Sequence, residues 1–386
     1  MLGAGIFFVW SPAAALAGWW MLAALVVAAF LAALNALSTT QLAMLTPVAG
    51  GAYVFGRDRV SPSVGFVAGT LFLVGKTASV AAIAVVAGGY ISDHGRIVPV
   101  LLVLALAAVN ATGIRSTAWT SAVLAAIVVS GLVASLVVGG ATTVPHLPDS
   151  ALPGGPLGAA QAVALVFFGF AGYARVATLA EEVRDPRRTL PRAVLLSLAL
   201  VLVLSVATAT VLLVGLGPAA LATTDSPVAQ LVGPAWRPLV VVLAGLAGAG
   251  ALLGVLAGLS RTALAMARGG DLPGPLVRVW HRTGAPVVAE ITVALVGALG
   301  AALLDPTALV GVSACAVLGY YGIAHLSALR IPGGPGRWLP RAVPVLGLVG
   351  CLVVSLATPW PALLGVVAAV LLALAGRALV RARHRA

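Results

Sequence analysis

Gly169-Phe170-Ala171-Gly172-Tyr173 interrupts an apolar run in the second half of the chain, and Gly3-Ala4-Gly5-Ile6-Phe7 interrupts another at the corresponding place in the first half. Closely spaced glycines weaken a helix, because glycine loses more conformational freedom than any other residue when it becomes helical. A helix broken inside an apolar run leaves backbone N–H and C=O groups without partners. In hydrocarbon such groups persist only where protein covers them or where they line a cavity. Paired interruptions in matching places of two halves therefore imply a site at the interface of an internal repeat.

Composition sets the surroundings of these breaks. Of 386 residues, 61% are hydrophobic and 8% charged, and the mean hydropathy is +1.13. That leaves too few charges to cover a soluble globule of this length. Apolar stretches near the length that crosses a bilayer, about 20 residues, follow one another with short polar punctuation. The run from Ile6 to Leu45 is too long for one span. Pro12 and Gly18 divide it into a short piece ending near Leu16 and a span from about Trp19 to about Met44. Further spans are expected near Pro62–Tyr90, Ile97–Val109, Ala118–Val138, Ala160–Ala180, Ala193–Val214, Leu239–Leu264, Val287–Leu304, Ala308–Leu329, Val343–Ala357 and Ala362–Leu379. The expected fold is an all-α integral membrane protein of about twelve transmembrane helices, counting the first piece.

The formal net charge of +12 would suit nucleic acid if it were clustered on one face. The basic residues instead sit in short loops between apolar segments, which points to a lipid bilayer and away from nucleic acid. With the start inside, seventeen basic residues fall in the cytoplasm, Arg57, Arg115, Arg184, Arg268, Arg337 and Arg381 among them, against Arg96 and Arg237 outside. This bias predicts cytoplasmic N- and C-termini. Cys315 and Cys351 lie in apolar runs and read as small core residues, and the five histidines offer no converging set. Neither a metal nor a cofactor is expected. Heavy use of Ala, Val, Leu, Gly and Arg suggests a bacterium with a GC-rich genome, hence the plasma (inner) membrane.

The segment Thr142–Gly158 holds four prolines and no Lys or Arg, and reads as an external linker. It divides residues 1–141 from residues 159–330, two expected repeats of five spans each, with extra helices over 340–386. An odd number of spans per repeat makes the two halves face opposite ways, the condition for alternating access. The extra helices are assigned to packing or to homodimer contacts.

Four motifs carry a family resemblance. Gly3-Ala4-Gly5-Ile6-Phe7 and Pro47-Val48-Ala49-Gly50-Gly51-Ala52-Tyr53 are the first two. The third is Glu181-Glu182-Val183-Arg184-Asp185-Pro186-Arg187-Arg188-Thr189-Leu190-Pro191-Arg192, and the fourth is Ala265-Met266-Ala267-Arg268 followed by Arg282-Thr283-Gly284-Ala285-Pro286. In this order they resemble the amino acid–polyamine–organocation superfamily of permeases. The resemblance implies a LeuT-like fold of five plus five inverted spans and secondary active transport of amino acids. Relative to that pattern the first helix is truncated at its N-terminus, and Met1 is read as an internal methionine of a longer protein.

An α-amino acid presents a carboxylate and an ammonium. Free N–H groups around Ala4, Gly5 and Ile6 favour the first through hydrogen bonds and the helix dipole. Free carbonyls around Met1, Leu2 and Phe168–Ala171 favour the second. The expected substrate site is thus Gly3, Ala4, Gly5, Ile6, Phe168, Gly169, Phe170, Ala171, Gly172 and Tyr173, with Phe7, Phe170 and Tyr173 as walls or gates. An ionised group inside the membrane costs about 2.5–3.5 kcal/mol on insertion scales, which makes each a functional candidate. Lys76, the one lysine of the chain, is a candidate to load and release a proton. Arg175 and His325 are further coupling or gating candidates, and Glu290 is expected to pair with loop arginines.

With no acidic residue clearly at the midplane, a neutral amino acid is favoured, moved with protons or by exchange. A cationic amino acid or polyamine antiporter is the alternative. Sodium is disfavoured, because Leu246–Leu259 contains no hydroxyl. From other classes come a glutamate-type intramembrane protease and a fragment without transport. The protease pattern needs arginine four residues after the second glutamate, where Pro186 stands here.

Overall fold

A computed structural model describes residues 5–46, 48, 50–92, 95–112, 118–149, 151, 153–173, 186–281, 284–334 and 337–383. All regular secondary structure among these residues is helical. Helices α1 (Gly5–Phe8) and α2 (Trp10–Ala17) lead through a 3₁₀ turn, Gly18–Trp20, into α3 (Met21–Leu45). Then follow α4 (Ala52–Arg59), α5 (Pro62–Ile91), α6 (Ile97–Ala111), α7 (Ala118–Thr142) and α8 (Gly155–Phe170), which ends in a 3₁₀ turn, Ala171–Tyr173. The second half comprises α9 (Pro186–Thr223), α10 (Pro227–Val232), α11 (Arg237–Arg268), α12 (Val287–Leu303), α13 (Pro306–Leu329), α14 (Ala342–Ala357) and α15 (Trp360–Arg383).

Seven segments are long and apolar enough to cross a membrane, and four shorter apolar helices accompany them. The first of the seven, Trp10–Leu45, holds both α2 and α3, so twelve apolar helical segments stand among the described residues. Gly18 separates α2 from α3 with φ of +52°, a conformation that side chains disfavour. Pro12 does not break the chain, because it lies at the start of α2, where a missing N–H costs little. In the sixth expected span the α-helix runs Gly155–Phe170 and passes into the 3₁₀ turn at the glycine-rich motif, and the expected end at Ala180 lies outside the described residues. The seventh is longer than expected, and Gly217 (φ 73°, ψ 158°), followed by Pro218, kinks α9 near its end.

Helix α5 lies at the centre. Its most apolar window is 78% buried, against 17% for α15, which turns Leu371, Leu372 and Leu379 outward. Small residues let neighbours approach α5 closely, as packing in lipid requires. A Cβ on Gly75 would lie 2.9 Å from Val317 Cγ2 of α13, and one on Gly248 of α11 would lie 2.6 Å from Ala87 Cβ.

Buried charges tie α15 to the rest at the end of the bundle that carries α4. Arg377 Nη2 lies 2.7 Å from Asp271 Oδ1, and Arg57 Nη1 lies 3.3 Å from Asp271 Oδ2. Tyr53 donates to the same carboxylate at 3.0 Å and accepts from Arg57 at 3.0 Å. Burial first, and then the Asp271 charge, raise the Tyr53 phenol above its ordinary value, so it keeps its proton. The Arg377 guanidinium also stacks 4.5 Å from the Phe66 ring centroid.

Candidate functional site

The two glycine motifs meet. A Cβ built on Gly5 would lie 3.2 Å from Gly169 Cα and 3.5 Å from Phe168 Cδ1, so α1 crosses the end of α8 in direct contact. Among the described residues nothing lies within 4 Å of a Cβ built on Gly169 itself, and Gly172 is exposed. Ile6 and Phe170 are buried beside this contact. Gly3, Ala4 and Arg175 lie outside the described residues, as do Glu181 and Glu182; Tyr173 is described in its backbone alone.

The carbonyls around the motifs are partly engaged. The Ala171 N–H reaches back to Phe168 O, which closes the 3₁₀ turn. Ala171 O accepts from Lys76 Nζ at 3.1 Å. Lys76 reaches it from the middle of α5, where its side chain is buried. In the first motif, Trp10 Nε1 donates to Ile6 O at 2.7 Å and Tyr90 OH donates to Phe7 O at 2.9 Å. The Phe7 and Tyr90 rings meet edge to face at 6.0 Å, and Phe167 meets Tyr321 in the same way at 6.3 Å. Phe7, expected at the wall, is thus packed beneath Tyr90. Sequence reading missed Trp10 and Tyr90, and only their amphipathic character could have marked them. Tyr90→Phe removes one donor and is expected to cost about 0.5–1.5 kcal/mol, read as a lower melting temperature with ligand binding retained.

His325 belongs to a different cluster. On α13 its Nε2 lies 2.7 Å from Asn35 Oδ1 of α3, and Cys351 Sγ of α14 donates to the same oxygen at 3.2 Å. Because the amide oxygen only accepts, this geometry assigns the imidazole proton to Nε2. The contact ties three helices together, as polar side chains do inside membranes. Gly347 provides the slot, since a Cβ there would overlap the His325 ring. Gly347→Ala is expected to expel the ring and destabilise the protein by about 1–3 kcal/mol, measurable by thermal unfolding in detergent. Ser79 and Ser313 pair at 2.7 Å between α5 and α13. Glu290, buried at the start of α12, accepts from Asn110 Nδ2 at 3.2 Å. Among the described residues, no three of His, Cys, Asp and Glu converge to hold a metal ion.

Over residues 1–376 the chain matches the family model described as amino acid permease. The chain belongs to the amino acid permease family. Like other members of the amino acid–polyamine–organocation superfamily, this permease is a multi-pass membrane protein. It is 42% identical over 366 residues to an uncharacterized transporter of Mycobacterium tuberculosis, covering 93% of this chain and 83% of that one. The branched-chain amino acid permease BcaP of Bacillus subtilis is 27% identical over 409 residues, covering 93% and 85%. The mitochondrial cationic amino acid transporter 3 of Arabidopsis thaliana is 32% identical over 190 residues, 48% of this permease and 31% of that protein.

Proposed function

We propose that this permease is a secondary active transporter that carries a neutral amino acid across a bacterial plasma membrane by alternating access, with proton coupling or by exchange. The observation that carries this reading is the contact of Gly5 with Gly169, where no described atom lies within 4 Å of a Cβ on Gly169. In this reading the two motifs, Gly3–Phe7 and Phe168–Tyr173, form a ligand site at the interface of two inverted five-span repeats, 1–141 and 159–330. The residues 142–158 then link the repeats outside the cell, and 340–386 supply the extra helices and a dimer surface. Basic loops orient both termini to the cytoplasm.

A neutral substrate is favoured because Lys76, beside the second motif among the described residues, repels a second cation. The similarity to a branched-chain permease along most of the chain points the same way. The likeness over about half the chain to cationic transporters supports the second reading, a cationic amino acid.

Purified protein screened against the twenty amino acids and common polyamines should show one class that raises the melting temperature. At a hundredfold excess over Kd, binding adds about 2.7 kcal/mol to stability. The stabilising amino acid should also enter proteoliposomes saturably. Stabilisation by arginine or lysine without any by leucine or alanine would move the assignment to cationic substrates, and a protein that binds none of them would end the reading.

A further inference from the structure

The end of the bundle that carries α4 presents two loops of similar chemistry. Between α11 and α12, a 3₁₀ turn, Gly274–Val277, leads into Arg278-Val279-Trp280, and between α13 and α14 runs Arg337-Trp338-Leu339-Pro340-Arg341. Each puts a tryptophan in the open beside arginine. Trp280 is 44% exposed and Trp338 46%, and Val277 and Val279 are exposed next to the first. Hydrogen bonds to the backbone fix both loops. The Trp280 N–H donates to Ala285 O at 2.9 Å, and the Gly284 N–H donates back to Trp280 O at 2.8 Å. In the second loop, Arg337 donates from Nη1 to Ile331 O at 3.3 Å and from Nε to Leu339 O at 3.2 Å.

Charge completes the pattern. Arg268, Arg278, Arg330 and Arg341 are exposed at this end and make no hydrogen bond or ion pair among the described residues. Asp58 is the exposed carboxylate there among the described residues, whereas the opposite end carries Asp149, Asp225 and Asp305 against Arg96 and Arg237. An indole has an apolar body and a polar N–H, and settles at the level of lipid headgroups. An unpaired guanidinium fits phosphate oxygens with two parallel hydrogen bonds. A surface of net negative charge attracts such arginines, and a zwitterionic one does so far less, because its cationic groups oppose them.

We propose that these two loops bind the headgroups of anionic phospholipids, with Trp280 and Trp338 seated at headgroup level and Arg278 and Arg341 paired with lipid phosphates. In the orientation proposed above, the lipids belong to the cytoplasmic leaflet. The inference rests on the membrane-spanning fold and is independent of which substrate the permease carries.

The test places the full chain in nanodiscs of phosphatidylcholine with a minor share of phosphatidylglycerol, the acyl chains of one lipid or the other carrying bromine, which quenches nearby indoles. Trp280→Phe and Trp338→Phe identify the part of the fluorescence that belongs to each loop. Around both indoles, phosphatidylglycerol should be enriched about fivefold over its share of the disc, as attraction of one arginine to an anionic surface implies. Arg278→Gln should lower the enrichment at Trp280 alone, and Arg341→Gln at Trp338 alone. Equal quenching by the two lipids overturns the proposal, and so does an enrichment that survives both arginine substitutions. Indoles that neither lipid quenches would also overturn it, because the loops would then face water, a second copy or another protein. A permease that binds no amino acid and still shows this enrichment would lose its proposed substrate and keep this surface.

Discussion

Gly5→Val is expected to abolish ligand binding and transport while the protein still inserts in the membrane. A single Cβ at this position already comes within 3.2 Å of Gly169 Cα, a backbone atom that cannot swing aside. Valine adds two further methyl groups, so α1 must separate from the end of α8. Overpacking of this kind costs about 1–3 kcal/mol in stability. The effect on function is larger, because a site shaped by backbone groups of two elements loses its geometry when either one shifts. Gly169→Ala separates these effects. Its Cβ meets no described atom within 4 Å, so stability should hold or rise slightly while affinity falls, because the methyl group enters the space proposed for the ligand. Ligand-induced thermal shift and proteoliposome uptake measure both variants. Wild-type uptake by Gly5→Val would remove the site from the contact between the motifs.

Asp271→Ala should be the most destabilising single change to the bundle end that carries α4. The carboxylate is 1% exposed and neutralises Arg377, whose side chain is 6% exposed. Removing it strands a buried guanidinium, and breaking a buried pair in this way costs about 3–5 kcal/mol. Arg57 is 37% exposed and can turn to solvent, so Arg57→Ala should cost about 0–1 kcal/mol. The contrast is the test: thermal unfolding in detergent should drop sharply for Asp271→Ala and little for Arg57→Ala. Equal melting temperatures for Asp271→Ala and the unaltered protein would show that α15 is held by its apolar contacts alone. The cluster also explains the sequence motif around Tyr53, whose hydroxyl joins the loop after α11 to the helix between α3 and α5.

The apolar segments were legible because spanning length and hydrophobicity are local properties, readable one window at a time. Helix breaks were legible for the same reason, and Gly18 and the motif at Gly169 stop helices where their conformational cost predicts. The end of the sixth span, expected at Ala180, lies outside the described residues. Depth in the chain also marked Lys76 as costly.

Which groups face one another was decided by the tertiary structure. Lys76 meets Ala171 across 95 positions, Tyr90 meets Phe7 across 83, and His325 meets Asn35 across 290. In a chain this uniformly apolar, hydrophobic periodicity does not distinguish a lipid-facing side from a packed one, because both solvents are hydrocarbon-like. The faces are selected by close approach of small residues and by the few polar groups that must find partners. Sequence therefore determined the apolar segments and the stop at the second glycine motif, and packing determined that the two motifs touch at Gly5 and Gly169 and that the lysine charge ends beside the second.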